Sequence, residues 1–93
     1  MQPALSHFAS PDFWSAYNRL PTNVQQTADK NFVLLKSDPK HPSLHLKKIG
    51  TIWSVRAGMH YRAIGMDTPG DEKGILWIWI GSHADYDRLI KKG

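Results

Sequence analysis

Arg56, Arg62, His83 and Tyr86 carry side chains suited to chemistry, and Lys47, Lys48 and His60 stand close to them in the chain. Guanidinium groups hold phosphoryl oxygens in a fixed, bidentate geometry and can steady charge that builds on phosphorus. An imidazole gives or takes a proton near neutral pH. Cations beside it would favour its neutral, proton-accepting form. A cation cluster with one imidazole and one phenol suits cleavage of RNA without a metal. The substrate's own 2′-hydroxyl is the nucleophile there, so the protein must move protons and stabilise charge.

Other chemistries lack their residues. The chain has no cysteine, hence no thiolate and no disulfide. It has five histidines, and no pair shows metal-ligand spacing with a third partner, so neither a metal nor another cofactor is expected. A P-loop and a dinucleotide-binding glycine motif are both missing. No serine has the sequence context of an activated nucleophile.

The arginines sit in the stretch from Trp53 to Ala63, two short alternating runs with Gly58 between them. That pattern predicts a β-hairpin. A two-residue turn at Gly58-Met59 would put the arginines on different faces. A three-residue loop, Ala57 to Met59, sets Arg56 opposite His60 and Ser54 opposite Arg62. It gathers Ser54, Arg56, His60 and Arg62 on one face and Trp53, Val55, Tyr61 and Ala63 on the other. A slip of one residue destroys that separation, so the second register is the expected one.

The remaining elements must position this hairpin. Ala4 to Phe8 reads as a short edge strand. Ser10-Pro11-Asp12 starts a helix, with serine as cap and Phe13, Trp14, Tyr17 and Leu20 on one face. Pro21 stops it. Thr22 and Gln25 form a capping box for a second helix, whose stripe is Val24, Ala28, Phe32 and Leu35. Leu44 to Ile49 reads as a strand. A polar loop, Asp67 to Gly74, precedes Ile75 to Ile80, which is apolar on both parities and so belongs inside a sheet, covered on both faces. Ala84 to Ile90 closes the chain as a short helix. Trp14, Trp53, Trp77 and Trp79 are expected in the core, although the last three could instead stack bases.

The order (β)ααβββα gives an α+β fold: an antiparallel β-meander packed against an N-terminal αα-hairpin, with a short C-terminal helix. At 93 residues, a single domain over 1–93 is expected. The net charge of +4 favours an anionic partner. No apolar run approaches the roughly 18 residues of a membrane span. The N-terminus lacks the pattern of a signal peptide. A cytoplasmic protein without membrane contact is expected.

Several strings resemble the RelE/ParE superfamily of toxins from type II toxin–antitoxin systems. They are Asp38 to Leu44, Lys47-Lys48, Trp53 to Arg56, Tyr61-Arg62-Ala63 and Trp79 to Asp87. The resemblance implies that family's compact fold and a ribosome-dependent, metal-independent messenger-RNA endonuclease. It implies neutralisation by a cognate antitoxin, with DNA met only through the antitoxin. Position by position, it implies that Arg56 contacts phosphate and Arg62 stabilises the transition state. Lys47 and Lys48 fall in the family's basic strand, His83 at its strand-end acid or base, and Tyr86 near its C-terminal tyrosine. Catalysis is thus expected from Arg56, Arg62, His83 and Tyr86, and RNA binding from Lys47, Lys48 and His60. A gyrase-poisoning branch shares the fold, so a non-enzymatic gyrase inhibitor and a plain protein-binding module stay open as alternatives.

Overall fold

The computed structural model describes residues 6–69 and 73–92. Its order is β1 (Ser6–Ala9), α1 (Pro11–Asn18), α2 (Thr22–Ser37), a 3-10 turn (Pro42–Leu44), β2 (Lys47–Ile49), β3 (Ile52–Gly58), β4 (Tyr61–Asp67), β5 (Gly74–Ser82) and α3 (His83–Lys92). The strands form one sheet in the order β1-β5-β4-β3-β2. β2 to β5 are the expected antiparallel meander, and β1 adds to β5 in parallel, making the sheet mixed. The expected start of β1 at Ala4 and part of the polar loop, Gly70 to Glu72, lie outside the described residues.

Helix α1 begins as its sequence requires. Ser10 Oγ accepts a hydrogen bond from the Phe13 N–H at 3.1 Å, which satisfies one orphan donor of the first turn. Helix α2 begins differently from expectation. Pro21, not Thr22, holds the cap position, and its carbonyl accepts from the N–H groups of Val24 and Gln25. The Gln25 side chain donates to the Tyr17 carbonyl at 3.0 Å instead of reaching back to close a capping box. Proline's fixed φ starts the helix one residue early and leaves Thr22 inside it.

Both helices cover one face of the sheet. Ala28, Leu35, Leu44, Val55, Ala57, Ala63, Ile75, Trp77 and Ile80 form the core there, with Phe13, Tyr17 and Leu20 packed against it. Trp14 departs from expectation and is 50% exposed. α1 spans only about two turns, and the Phe13–Tyr17–Leu20 stripe already fills its inner face. Trp14 is the next residue round the helix and rests edge-on against Phe13 and Tyr17.

Two irregularities set which residues reach the other face, here called the front. Between Arg56 and Gly58 the β3–β4 register shifts at a bulge. Between Ile64 and Gly65 the β4–β5 register shifts again, with Ile64 opposite Trp79 and Gly65 opposite Trp77. The second shift lets Trp77 and Ile80, three residues apart, both enter the core. Strand β5 is thereby an interior strand whose apolar residues serve both faces.

Candidate nucleic-acid interface

The hairpin register differs from the one expected. Arg56 lies opposite Arg62, Val55 opposite Ala63 and Ser54 opposite Ile64, while Gly58 pairs with Tyr61. The turn is Met59-His60. Continued without interruption from Gly58–Tyr61, the ladder would set Arg56 opposite Ala63 and send the arginines to opposite faces. The extra residue of the bulge, Ala57, moves Arg56 opposite Arg62. Ala57 is buried in the core while Arg56 turns to the front. His60 is therefore not opposite Arg56; it occupies the turn, exposed.

Two cross-strand rows of the front matter for the site. One is Arg56–Arg62–Gly81, and the next is Lys47–Ser54–Ile64–Trp79. Ser54 and Ile64 are buried, at 2% and 6% exposure. Among the described residues neither arginine forms a salt bridge; the ion pairs are Lys48–Asp67, His83–Asp87 and Asp85–Arg88. Arg62 Nη1 donates to the Tyr61 carbonyl at 3.2 Å. Arg56 Nε is buried without a hydrogen-bond partner. The Arg56 carbonyl accepts from Asn31 Nδ2 of α2 at 3.4 Å, which ties this point of β3 to the helical layer.

Burial, and after it the charge of Arg56, push the pKa of Arg62 down from its ordinary value, while Tyr86 and Asp87 act in the opposite direction. Like charges directly opposite one another destabilise a sheet. Here they stand on adjacent strands with a buried, unpaired N–H between chain and solvent. Two cations on adjacent strands, neither in a salt bridge, give this part of the front a positive field that attracts anions.

His83 is the first residue of α3. Its N–H donates to the His60 carbonyl at 2.7 Å, and Ser82 Oγ caps the helix by accepting from the Asp85 N–H at 3.1 Å. The charged group in contact with its ring is not a cation, as expected, but the Asp87 carboxylate, 3.2 Å from Nδ1. Tyr86 is 8% exposed, and its ring centroid stands 6.0 Å from that of His83. Strand β5 thus delivers His83 two residues beyond Gly81, at the end of the arginine row. Asp87 was missed in the sequence, although its spacing four residues after His83 is the helical pair distance.

The two lysines separate. Lys47 belongs to the front, through its register with Ser54. Lys48 pairs with Trp53 on the helix-bearing face, bonds Asp67 at 2.8 Å and stands 5.5 Å from the Trp53 ring centroid. Asp67 also accepts from Trp53 Nε1 at 2.8 Å. The structure therefore brings Arg56, Arg62 and Lys47 onto one face with His83 and Tyr86 at its end, and turns Lys48 away. Among the described residues no group of three or more potential metal ligands comes together. No helix among them is long and apolar enough to cross a membrane.

No family model matches the chain, and no curated protein matches it in sequence. Solved structures do. The archaeal RelE–RelB complex from Pyrococcus horikoshii OT3 matches with a TM-score of 0.63 at 15% identity, over 87% of this chain and 97% of that one. YafQ from E. coli strain BL21(DE3) matches with a TM-score of 0.65 at 11% identity, over 88% and 97%. The chain has the RelE fold. A YoeB/ParE toxin from Agrobacterium tumefaciens, at 14% identity and a TM-score of 0.62, covers 85% of this chain and 99% of its own. Within the RelE fold, the paired arginines of this chain occupy the hairpin at the middle of the sheet.

Proposed function

We propose that this protein is the toxin of a type II toxin–antitoxin system and cleaves messenger RNA on the ribosome. The carrying observation is the directly opposed pair Arg56 and Arg62, neither of them in a salt bridge among the described residues. The likeness of the fold to a YoeB/ParE toxin from Agrobacterium tumefaciens and to the toxin–antitoxin complex RelBE2 from Mycobacterium tuberculosis supports the reading. In the proposed reaction the RNA 2′-hydroxyl loses its proton and attacks the adjacent phosphorus. The bond to the 5′-oxygen breaks, leaving a 2′,3′-cyclic phosphate, and the departing oxygen takes up a proton. Arg56 and Arg62 hold the phosphoryl oxygens and stabilise the added charge. His83, oriented through Nδ1 by Asp87, moves a proton at Nε2. Tyr86 assists beside Arg62, Lys47 attracts the flanking phosphates, and His60 and Lys48 make outer contacts at most. A cognate antitoxin that covers this cationic face would silence it.

Primer extension on a translated message tests the proposal with wild type, Arg62→Ala and His83→Ala. Discrete cuts with wild type and their loss in both variants are expected. Equal cleavage by all three would remove these residues from the mechanism. Absence of cuts together with altered plasmid supercoiling in cells would favour the gyrase-directed alternative.

A further inference from the structure

One large aromatic side chain has no place in the core or in the mechanism above. Trp79 lies on the front, in the row beside the arginines. It is neither in the core cluster nor packed against it, in contrast to Trp77 and Trp53. Among the described residues its Nε1 has no hydrogen bond, and its ring has no aromatic or cationic neighbour of the kind that Trp53 and Trp77 have.

Its position is built by Gly81. A Cβ added at Gly81 would lie 2.4 Å from Trp79 Cζ2 and 2.7 Å from Cη2. The indole thus reaches along β5 and rests over Gly81, in the space that any other residue's side chain would fill. Gly81 is the third member of the arginine row, directly opposite Arg62. The benzo edge of the indole consequently lies over the strand position paired with Arg62, on a strand whose backbone runs about 4.8 Å from β4. Ile64, its cross-strand partner, is buried, and so is Ser54 beyond it in the same row.

We propose that Trp79 is a stacking platform for a nucleobase next to the phosphate held by Arg56 and Arg62. The inference rests on the RNA reading above and adds a binding residue to it. An indole offers a π-face to any base, so the contact is expected to be sequence-tolerant. A ring fixed in advance on the sheet loses little freedom when the base arrives. With the guanidiniums gripping phosphate and the indole gripping a base, the sugar between them is held in register for attack by its 2′-hydroxyl.

The test measures affinity for a short single-stranded oligoribonucleotide and for a set of the same oligonucleotides with one abasic position each. Wild type, Trp79→Phe and Trp79→Leu are compared, with cleavage of a translated message followed in parallel. Trp79→Leu should weaken binding by roughly ten- to hundredfold, and Trp79→Phe should restore most of it. The slope of affinity against salt should stay unchanged, because no phosphate contact is lost. One abasic position should weaken wild type by a similar factor and leave Trp79→Leu indifferent. This last comparison decides the matter through wild type even if Trp79→Leu folds poorly. Wild type that binds no oligoribonucleotide, or that is equally indifferent to every abasic position, would overturn the platform. Wild type that shows the abasic penalty but cuts no message would keep the platform and refute the nuclease.

Discussion

Arg56 and Arg62 face each other directly across β3 and β4, and among the described residues no carboxylate forms a salt bridge with either. The bulge at Ala57 imposes this contact. A fold selected for stability alone would not place two cations there. Arg56→Gln removes the repulsion and puts a neutral amide at the place of the buried, unpartnered Nε. It is expected to raise stability by about 0.5–1 kcal/mol, roughly 2–8 °C in Tm, while abolishing RNA cleavage. Arg56→Lys, which keeps the charge, should show a smaller rise. Thermal unfolding beside a cleavage assay reads both effects, and a fall in Tm for Arg56→Gln would contradict the repulsive pair.

The adjacent lysines should behave unalike. Lys47→Ala removes a front-face cation and is expected to lower RNA affinity, with the salt slope reduced by about 0.7. Lys48→Ala should leave RNA affinity nearly unchanged, because Asp67 and Trp53 already engage that side chain. Salt titration of oligoribonucleotide binding distinguishes them; equal losses would mean that both lysines reach the RNA.

Edge strand β1 should be sensitive to acid. His7 Nδ1 accepts a hydrogen bond from Trp77 Nε1 at 3.1 Å, and its ring stacks on the same indole. An indole N–H can only donate, so this nitrogen must carry a lone pair. Burial, and secondarily Lys36, hold the His7 pKa below the ordinary imidazole value. The unfolded chain therefore binds the extra proton first as pH falls. Stability is full above about pH 6.5 and declines below it, until the folded-state pKa is passed. Unfolding measured from pH 7.5 to 5 should show this decline, and His7→Phe should flatten part of it. An unchanged slope in His7→Phe would place the acid sensitivity elsewhere.

Periodicity made the two helices, the meander and the placement of both arginines on one face legible in the sequence. It did so because an even offset between strands keeps Arg56 and Arg62 on one side whether the loop is drawn at Ala57 to Met59 or with a bulge at Ala57. The exact partner was not legible, since a bulge adds a residue without leaving a pattern of period two. Trp14 and Trp79 were expected inside on hydrophobicity alone. Trp14 is exposed because of which stripe α1 buries, and Trp79 is half-buried on the front because of the room above Gly81, both properties of neighbours. Lys47 and Lys48 could be separated only once β2 had a register. The Asp87 contact with His83 needed only helical spacing and was available from the start.

Whether the two arginines act together on one phosphate is decided by a double-mutant cycle on message cleavage in a translating extract, comparing wild type, Arg56→Gln, Arg62→Gln and the double variant. If they grip the same phosphoryl group, each single change should cost most of the activity, and the double should lose little more than the worse single. Losses that multiply independently would mean separate contacts. Full activity in either single variant would contradict the account.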